Sequence, residues 1–135
     1  MPSPDRAAVL YDADCGFCRW SLAKLLAWDR RGRLRPVALQ APEAARLLGD
    51  MDEQRRMRSW HLVREDGSRT SGGTALAPLL ELLPGGRAPA AALKRFPGSL
   101  ERGYRWVADH RGLLGKPITR AAVERAEARI AERSA

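Results

Sequence analysis

The first apolar positions of the chain form a short unbroken run, Ala7-Ala8-Val9-Leu10-Tyr11, which stops at Asp12-Ala13-Asp14. A run of this length without alternation predicts a strand buried on both faces, followed at once by a turn. Over 15–28 the period lengthens to that of a helix, with Cys18, Leu22, Leu25 and Leu26 on one stripe, Lys24 outside it and Arg30-Arg31-Gly32 closing the element. Residues 34–39 predict a second strand, and Pro36, which has no N–H to give a ladder, assigns it to an edge or to an early position. Pro42 opens a helix over 42–48, and a polar helix is expected over 52–58. Residues 59–64 predict a third strand, joined through Glu65-Asp66-Gly67-Ser68 to a short fourth strand near Arg69-Thr70.

The second half is helical in period. Gly72-Gly73-Thr74 is expected to open a helix over 72–83 that Pro84-Gly85-Gly86 ends, and the Pro/Gly density of 84–98 marks a boundary or a surface crossing. Residues 100–110 predict a helix with Tyr104 and Val107 on one side and Trp106 beside them. Thr119 is placed to cap a last helix over 119–133, whose Val123, Ala126 and Ile130 form a narrow apolar seam.

Composition narrows the class. The chain has 135 residues, 44% of them apolar and 30% charged, which is the make-up of one folded domain. Its net charge of +8 comes almost entirely from arginine, since Lys24, Lys94 and Lys116 are the lysines. Such a balance permits acidic partners or nucleic acid without requiring either. Residues 1–6 lack a basic start and the apolar run 7–11 is too short for a signal core; the apolar-rich stretch 75–83 contains Pro78 and Glu81 and is too short to span a bilayer. A soluble, cytoplasmic protein without a membrane partner is expected. Two cysteines are far too few for a disulfide-stapled scaffold, so their spacing matters more than their number.

That spacing is C-x-x-C, Cys15 and Cys18, where a strand runs into a helix. A helix N-terminus offers free N–H groups and partial positive charge that favour a thiolate, the attacking species of thiol–disulfide exchange. Cys15, nearer the helix end, is the expected nucleophile, and Cys18, one turn inward, the resolving thiol. Two other readings remain: half of a zinc site, for which His61 and His110 supply no second paired motif, and a pair of unreactive buried cysteines. Asp12 and Asp14 oppose ionisation of Cys15, whereas the helix end and Arg19 favour it. One resolution turns Asp14 outward as a helix cap and makes Asp12 the proton acceptor for Cys18; the other reads both as capping or turn aspartates. The D-x-D after an apolar strand also resembles the opening of magnesium-dependent phosphatases of the haloacid-dehalogenase type, but no acidic pair stands at a later strand end.

The run Val9-Leu10-Tyr11-Asp12-Ala13-Asp14-Cys15-Gly16-Phe17-Cys18 resembles the signature of the DCC family of thiol–disulfide oxidoreductases. His61-Leu62-Val63, Asp66-Gly67 and Gly72-Gly73-Thr74-Ala75 are similar to that family's hairpin and following helix, and residues 104–111 with Gly115-Lys116 to its Arg/Tyr-rich C-terminal segment. The resemblance implies an α/β, thioredoxin-like fold: a four-stranded mixed sheet flanked by helices, over 1–116, with a core of 7–83 and a helical part over 98–116. A C-terminal helical extension, 117–135, lies outside it. Two departures stand out. Ala13 occupies a position where the family usually has Gly, and Arg58-Ser59-Trp60 lacks the proline that thioredoxins and glutaredoxins hold in cis beside their cysteines. Gly72-Gly73-Thr74 resembles the glutaredoxin helix start that binds the glutathione carboxylate, an anion site in physical terms, although a turn and N-cap read the same way. Phe17 is a candidate substrate contact.

The implied activity is disulfide exchange with a protein or small-thiol substrate. It needs no metal or organic cofactor beyond an external thiol donor such as glutathione or a thioredoxin-type reductant. The competing reading is an Arg-rich binding module built on Arg19, Arg30, Arg31, Arg33 and Arg35 with Arg55, Arg56 and Arg58, for which no nucleic-acid motif is present and no specific nucleic acid is expected.

Overall fold

The computed structural model describes residues 6–134, with the side chains of Arg58 and Ser134 left out. Residues 1–5, most of the segment read as carrying no targeting signal, and residue 135 lie outside the described part, as does the Arg58 side chain of the second basic cluster.

The first strand, β1, covers Ala7–Tyr11 and is followed by helix α1, Gly16–Trp28. The chain returns as β2, Leu34–Ala38, then forms α2, Pro42–Leu47, and α3, Glu53–Arg58. Strands β3, His61–Val63, and β4, Arg69–Ser71, complete a four-stranded mixed sheet of order β2-β1-β3-β4. β1 pairs parallel with β2 and antiparallel with β3, and β3 pairs antiparallel with β4. β2 is an edge strand, as Pro36 requires. Alternation along β1 feeds two cores: Ala7 and Val9 meet Leu22, Leu26 and Leu79 on one face, while Ala8 and Leu10 meet Val37, Ala44 and Leu48 on the other. β3 is shorter than its sequence pattern because the backbone just before it bonds elsewhere: Trp60 N–H reaches the Tyr104 hydroxyl at 3.2 Å. Buried His61 donates from Nε2 to Arg56 O at 2.9 Å and has Nδ1 2.6 Å from the Ser71 hydroxyl, and burial lowers its pKa.

Three expectations need correction. The helix expected over 72–83 starts as a 3-10 turn, Gly72–Ala75, and becomes α-helical only as α4, Leu76–Glu81. The Pro/Gly-rich stretch is not a bare crossing but contains α5, Arg87–Lys94, because Pro89 falls in the first turn, where its missing N–H has no intrahelical partner to lose. Helix α6, Pro97–Asp109, begins at a proline in its first turn, ahead of the expected start, and α7, Arg111–Gly115, follows after one residue. The last helix, α8, Arg120–Ser134, has Thr119 Oγ1 accepting from Ala122 N at 3.1 Å. It lies along α1, burying Ala126 and Ile130, with Val123 close to Gly16 and an ion pair between Arg19 and Glu127. Ile130 belongs to the same core as Leu22 and Leu26.

Candidate active site

The end of β1 leads into a tight turn held by hydrogen bonds. Cys15 N–H closes on Asp12 O at 3.2 Å, and Asp12 Oδ1 accepts from Asp14 N at 2.9 Å. Ala13 makes the turn without a positive φ, so the absent glycine costs no left-handed strain here. Gln40, two residues beyond β2, clamps the turn. Its Nε2 donates to Asp12 Oδ1 at 2.8 Å and to Asp14 Oδ2 at 3.3 Å, and its Oε1 accepts from Ala13 N at 3.1 Å. Gln40 was not among the residues expected at the site; the parallel register that pairs Tyr11 with Ala38 brings it there.

Cys15 is itself the N-cap of α1, its Sγ accepting the Cys18 N–H at 3.2 Å. The cap role expected of Asp14 therefore belongs to the sulfur, and Asp14 is exposed. Both thiols are free and half-buried. Burial, then the neighbouring Cys15 thiol, pushes Cys18 up to about 12, against a smaller opposing pull from Arg111. Arg111, the first residue of α7, places Nη1 3.6 Å from Cys18 Sγ and 3.8 Å from Asp12 Oδ2. Asp12, Cys18 and Arg111 thus form one cluster, whose third member lay unassigned in the Arg/Tyr-rich segment.

Beside the cysteines a largely apolar groove of about 510 Å³ runs between α1 and α6. Phe17, Cys18, Trp60, Leu100, Tyr104 and Val107 are in its walls, and Phe17 stacks on Trp20 with ring centroids 6.3 Å apart. Clefts of this size and lining are the usual seats of bound ligands.

Gly72, Gly73 and Thr74 are not in this groove. Gly72 and Gly73 are buried under α6, where a Cβ on Gly73 would stand 2.8 Å from Leu100 O and 2.9 Å from Glu101 Cα. The glycine pair lets α6 approach, and the Glu101 carboxylate beside it is the wrong sign for an anion site. Thr74 Oγ1 donates to Ser71 O at 2.7 Å, closing a local turn. Gly73→Ala is expected to lower stability by about 1–3 kcal/mol, the usual cost of overpacking, read as a lower urea midpoint at unchanged m-value. An unchanged midpoint would mean that α6 does not rest on this backbone.

Of the first basic cluster, Arg19 pairs with Glu127, and Arg35 with Glu43 at 2.7 Å. Among the described residues no group of three or more His, Cys, Asp or Glu side chains is arranged to hold a metal ion.

A family model described as DCC1-like thiol-disulfide oxidoreductase matches residues 9–116. The chain belongs to the DCC1-like family. No curated protein and no solved structure matches it. Membership fits the observed architecture, a four-stranded mixed sheet flanked by helices with further helices at the C-terminus. It also suggests thiol–disulfide exchange for the cysteine pair of this DCC1-like protein. The match includes the turn, both cysteines, the α6 wall and Arg111, and stops before α8. Among the described residues of the DCC1-like chain, no helix is long and apolar enough to cross a membrane.

Proposed function

We infer that the protein reduces disulfides by dithiol exchange, with Cys15 attacking and Cys18 resolving. The observation that carries this is the position of Cys15 Sγ at the N-terminus of α1, 3.2 Å from the Cys18 N–H, which aims partial positive charge at the sulfur and holds the two cysteines one helical turn apart. The substrate is a disulfide-bearing protein or small thiol whose apolar part lies along the groove past Phe17. Asp12 accepts the Cys18 proton. In a cytosol, which keeps thiols reduced, the pair runs as a reductant and is recharged by an external thiol donor such as glutathione or a thioredoxin-type protein, with no resident metal or organic cofactor.

The test is a redox titration of the Cys15–Cys18 pair in glutathione buffers, read by alkylation and mass. A bridge is expected to form reversibly, and Cys18→Ser is expected to accumulate partners disulfide-linked through Cys15. If the pair cannot be oxidised to a bridge at any potential the buffer reaches, the exchange reading fails.

A further inference from the structure

In the reaction inferred above, Cys18 must give up a proton in surroundings that oppose its charge. Its sulfur is half-buried in the groove wall, and burial with the adjoining thiol pushes it up to about 12. Three groups face it: Cys15 from the N-cap of α1, Tyr104 from α6 and Arg111 from α7, while Asp12, just past the end of β1, meets the same guanidinium. Of these, Arg111 alone is a permanent cation. Its guanidinium is fixed on two further sides, Nε donating to Ala108 O at 3.2 Å and Nη1 standing 3.8 Å from Asp12 Oδ2.

We propose that Arg111 is a catalytic residue of the resolving step, its guanidinium stabilising the Cys18 thiolate during attack on the mixed disulfide at Cys15. The proposal rests on the exchange reading and adds to it the group that makes a buried thiol usable. The Cys18 proton passes to Asp12. The thiolate then forms a bond to Cys15 Sγ while the bond from Cys15 to the substrate sulfur breaks. The electron pair leaves on the substrate sulfur, which takes up a proton. The protein dithiol ends as a disulfide and the substrate disulfide as two thiols. Because the same nitrogen faces both Cys18 Sγ and Asp12 Oδ2, stabiliser and proton acceptor stay side by side.

The experiment mixes the reduced full-length chain with one equivalent of an aromatic disulfide, dithiobis(nitrobenzoate). A first nitrobenzoate thiolate appears when Cys15 forms the mixed disulfide and a second when Cys18 resolves it, so the ratio of the two rates isolates the second step. In Arg111→Met that ratio is expected to fall by about ten- to a hundred-fold, the scale of a lost hydrogen bond to a charged group. Arg111→Lys, which keeps the charge without the planar fork, should recover part of it. In a Cys15→Ser background, the ultraviolet absorbance of the Cys18 thiolate should develop at higher pH once Arg111 is replaced, by about one unit for each ten-fold. If Arg111→Met does not fold, Arg111→Gln, which can still reach Ala108 O, is read in the same way. An unchanged rate ratio together with an unchanged thiolate titration overturns the proposal. Release of a single nitrobenzoate by the unmodified chain overturns the exchange reading itself, and the proposal with it.

Discussion

Cys15→Ser is expected to lower disulfide reduction by at least about a thousand-fold, the scale on which enzymes lose rate with their nucleophile. Cys18→Ser is expected instead to keep the first half of the reaction and stall with substrate attached. The asymmetry comes from the two surroundings. With its thiol pushed up by burial and by the adjoining Cys15 thiol, Cys18 is a poor first attacker. Cys15 sits at a helix N-terminus with the Cys18 N–H directed at its sulfur, 3.2 Å away. Once a mixed disulfide has formed, the order no longer penalises Cys18, because the target sulfur is then its neighbour and effective concentration replaces collision. Insulin reduction measures the overall loss, and mass spectrometry of the stalled adduct assigns the order. An adduct that forms in Cys15→Ser and not in Cys18→Ser would reverse the two roles.

Asp29→Ala is expected to remove about 3–5 kcal/mol of stability, the cost of leaving a buried ion-pair partner alone. Asp29 is fully buried at the C-terminus of α1. Its carboxylate accepts from Arg33 N at 3.0 Å, Leu34 N at 2.9 Å and Arg133 Nη1 at 3.0 Å. Arg133 Nη2 also donates to Leu26 O at 2.9 Å and Asp29 O at 2.7 Å, satisfying carbonyls that the helix end leaves open. Removing the carboxylate therefore orphans two backbone donors and takes the counter-charge from a half-buried guanidinium, which keeps its two carbonyl acceptors. Against a typical total of about 5–15 kcal/mol this is a large share, and Tm should fall by roughly 10 °C or more. Arg133→Met should cost less alone and add little to Asp29→Ala, since both act on one network. Thermal unfolding of the single and double variants checks this, and a loss under about 1 kcal/mol in Asp29→Ala would show that water replaces the carboxylate.

The parts of the fold that could be read from sequence are those fixed by local chemistry. An unbroken apolar run, an i, i+3, i+4 stripe and a proline at an edge gave β1, α1 and β2 to within a residue or two, and the C-x-x-C was placed correctly at the junction. The errors came where tertiary packing sets the meaning of a residue. Gly72, Gly73 and Thr74 read locally either as an anion-binding helix start or as a turn and N-cap, with no local sign that the lack of a Cβ serves the approach of a helix near residue 100. The Pro/Gly density of 84–98 read as a boundary or a surface crossing, although Pro89 falls in a helical first turn. Gln40 and Arg111 could not be assigned, because they stand 28 positions from Asp12 and 93 positions from Cys18, and only the parallel β1–β2 register and the path of α6 and α7 bring them to the site. Asp29 carried no signal of its own in the sequence; its partner Arg133 stands on α8, the element farthest from it in the chain.

The groove beside the cysteines divides its labour along the sequence. The cysteines and Asp12 come from the turn and first helical residues and Arg111 from α7, while Ser99, Leu100, Gly103, Tyr104, Val107 and Ala108 of α6 form the opposite bank at helical spacing. On that bank Ser99 and Gly103 are exposed, so substitutions there carry little folding cost, whereas Tyr104 and Ala108 also hold the Trp60 N–H and Arg111 Nε. Partner preference can therefore drift through the exposed positions of one helix while the reactive pair stays as it is, and exchanging Ser99 and Gly103 alone should alter selectivity without altering reactivity.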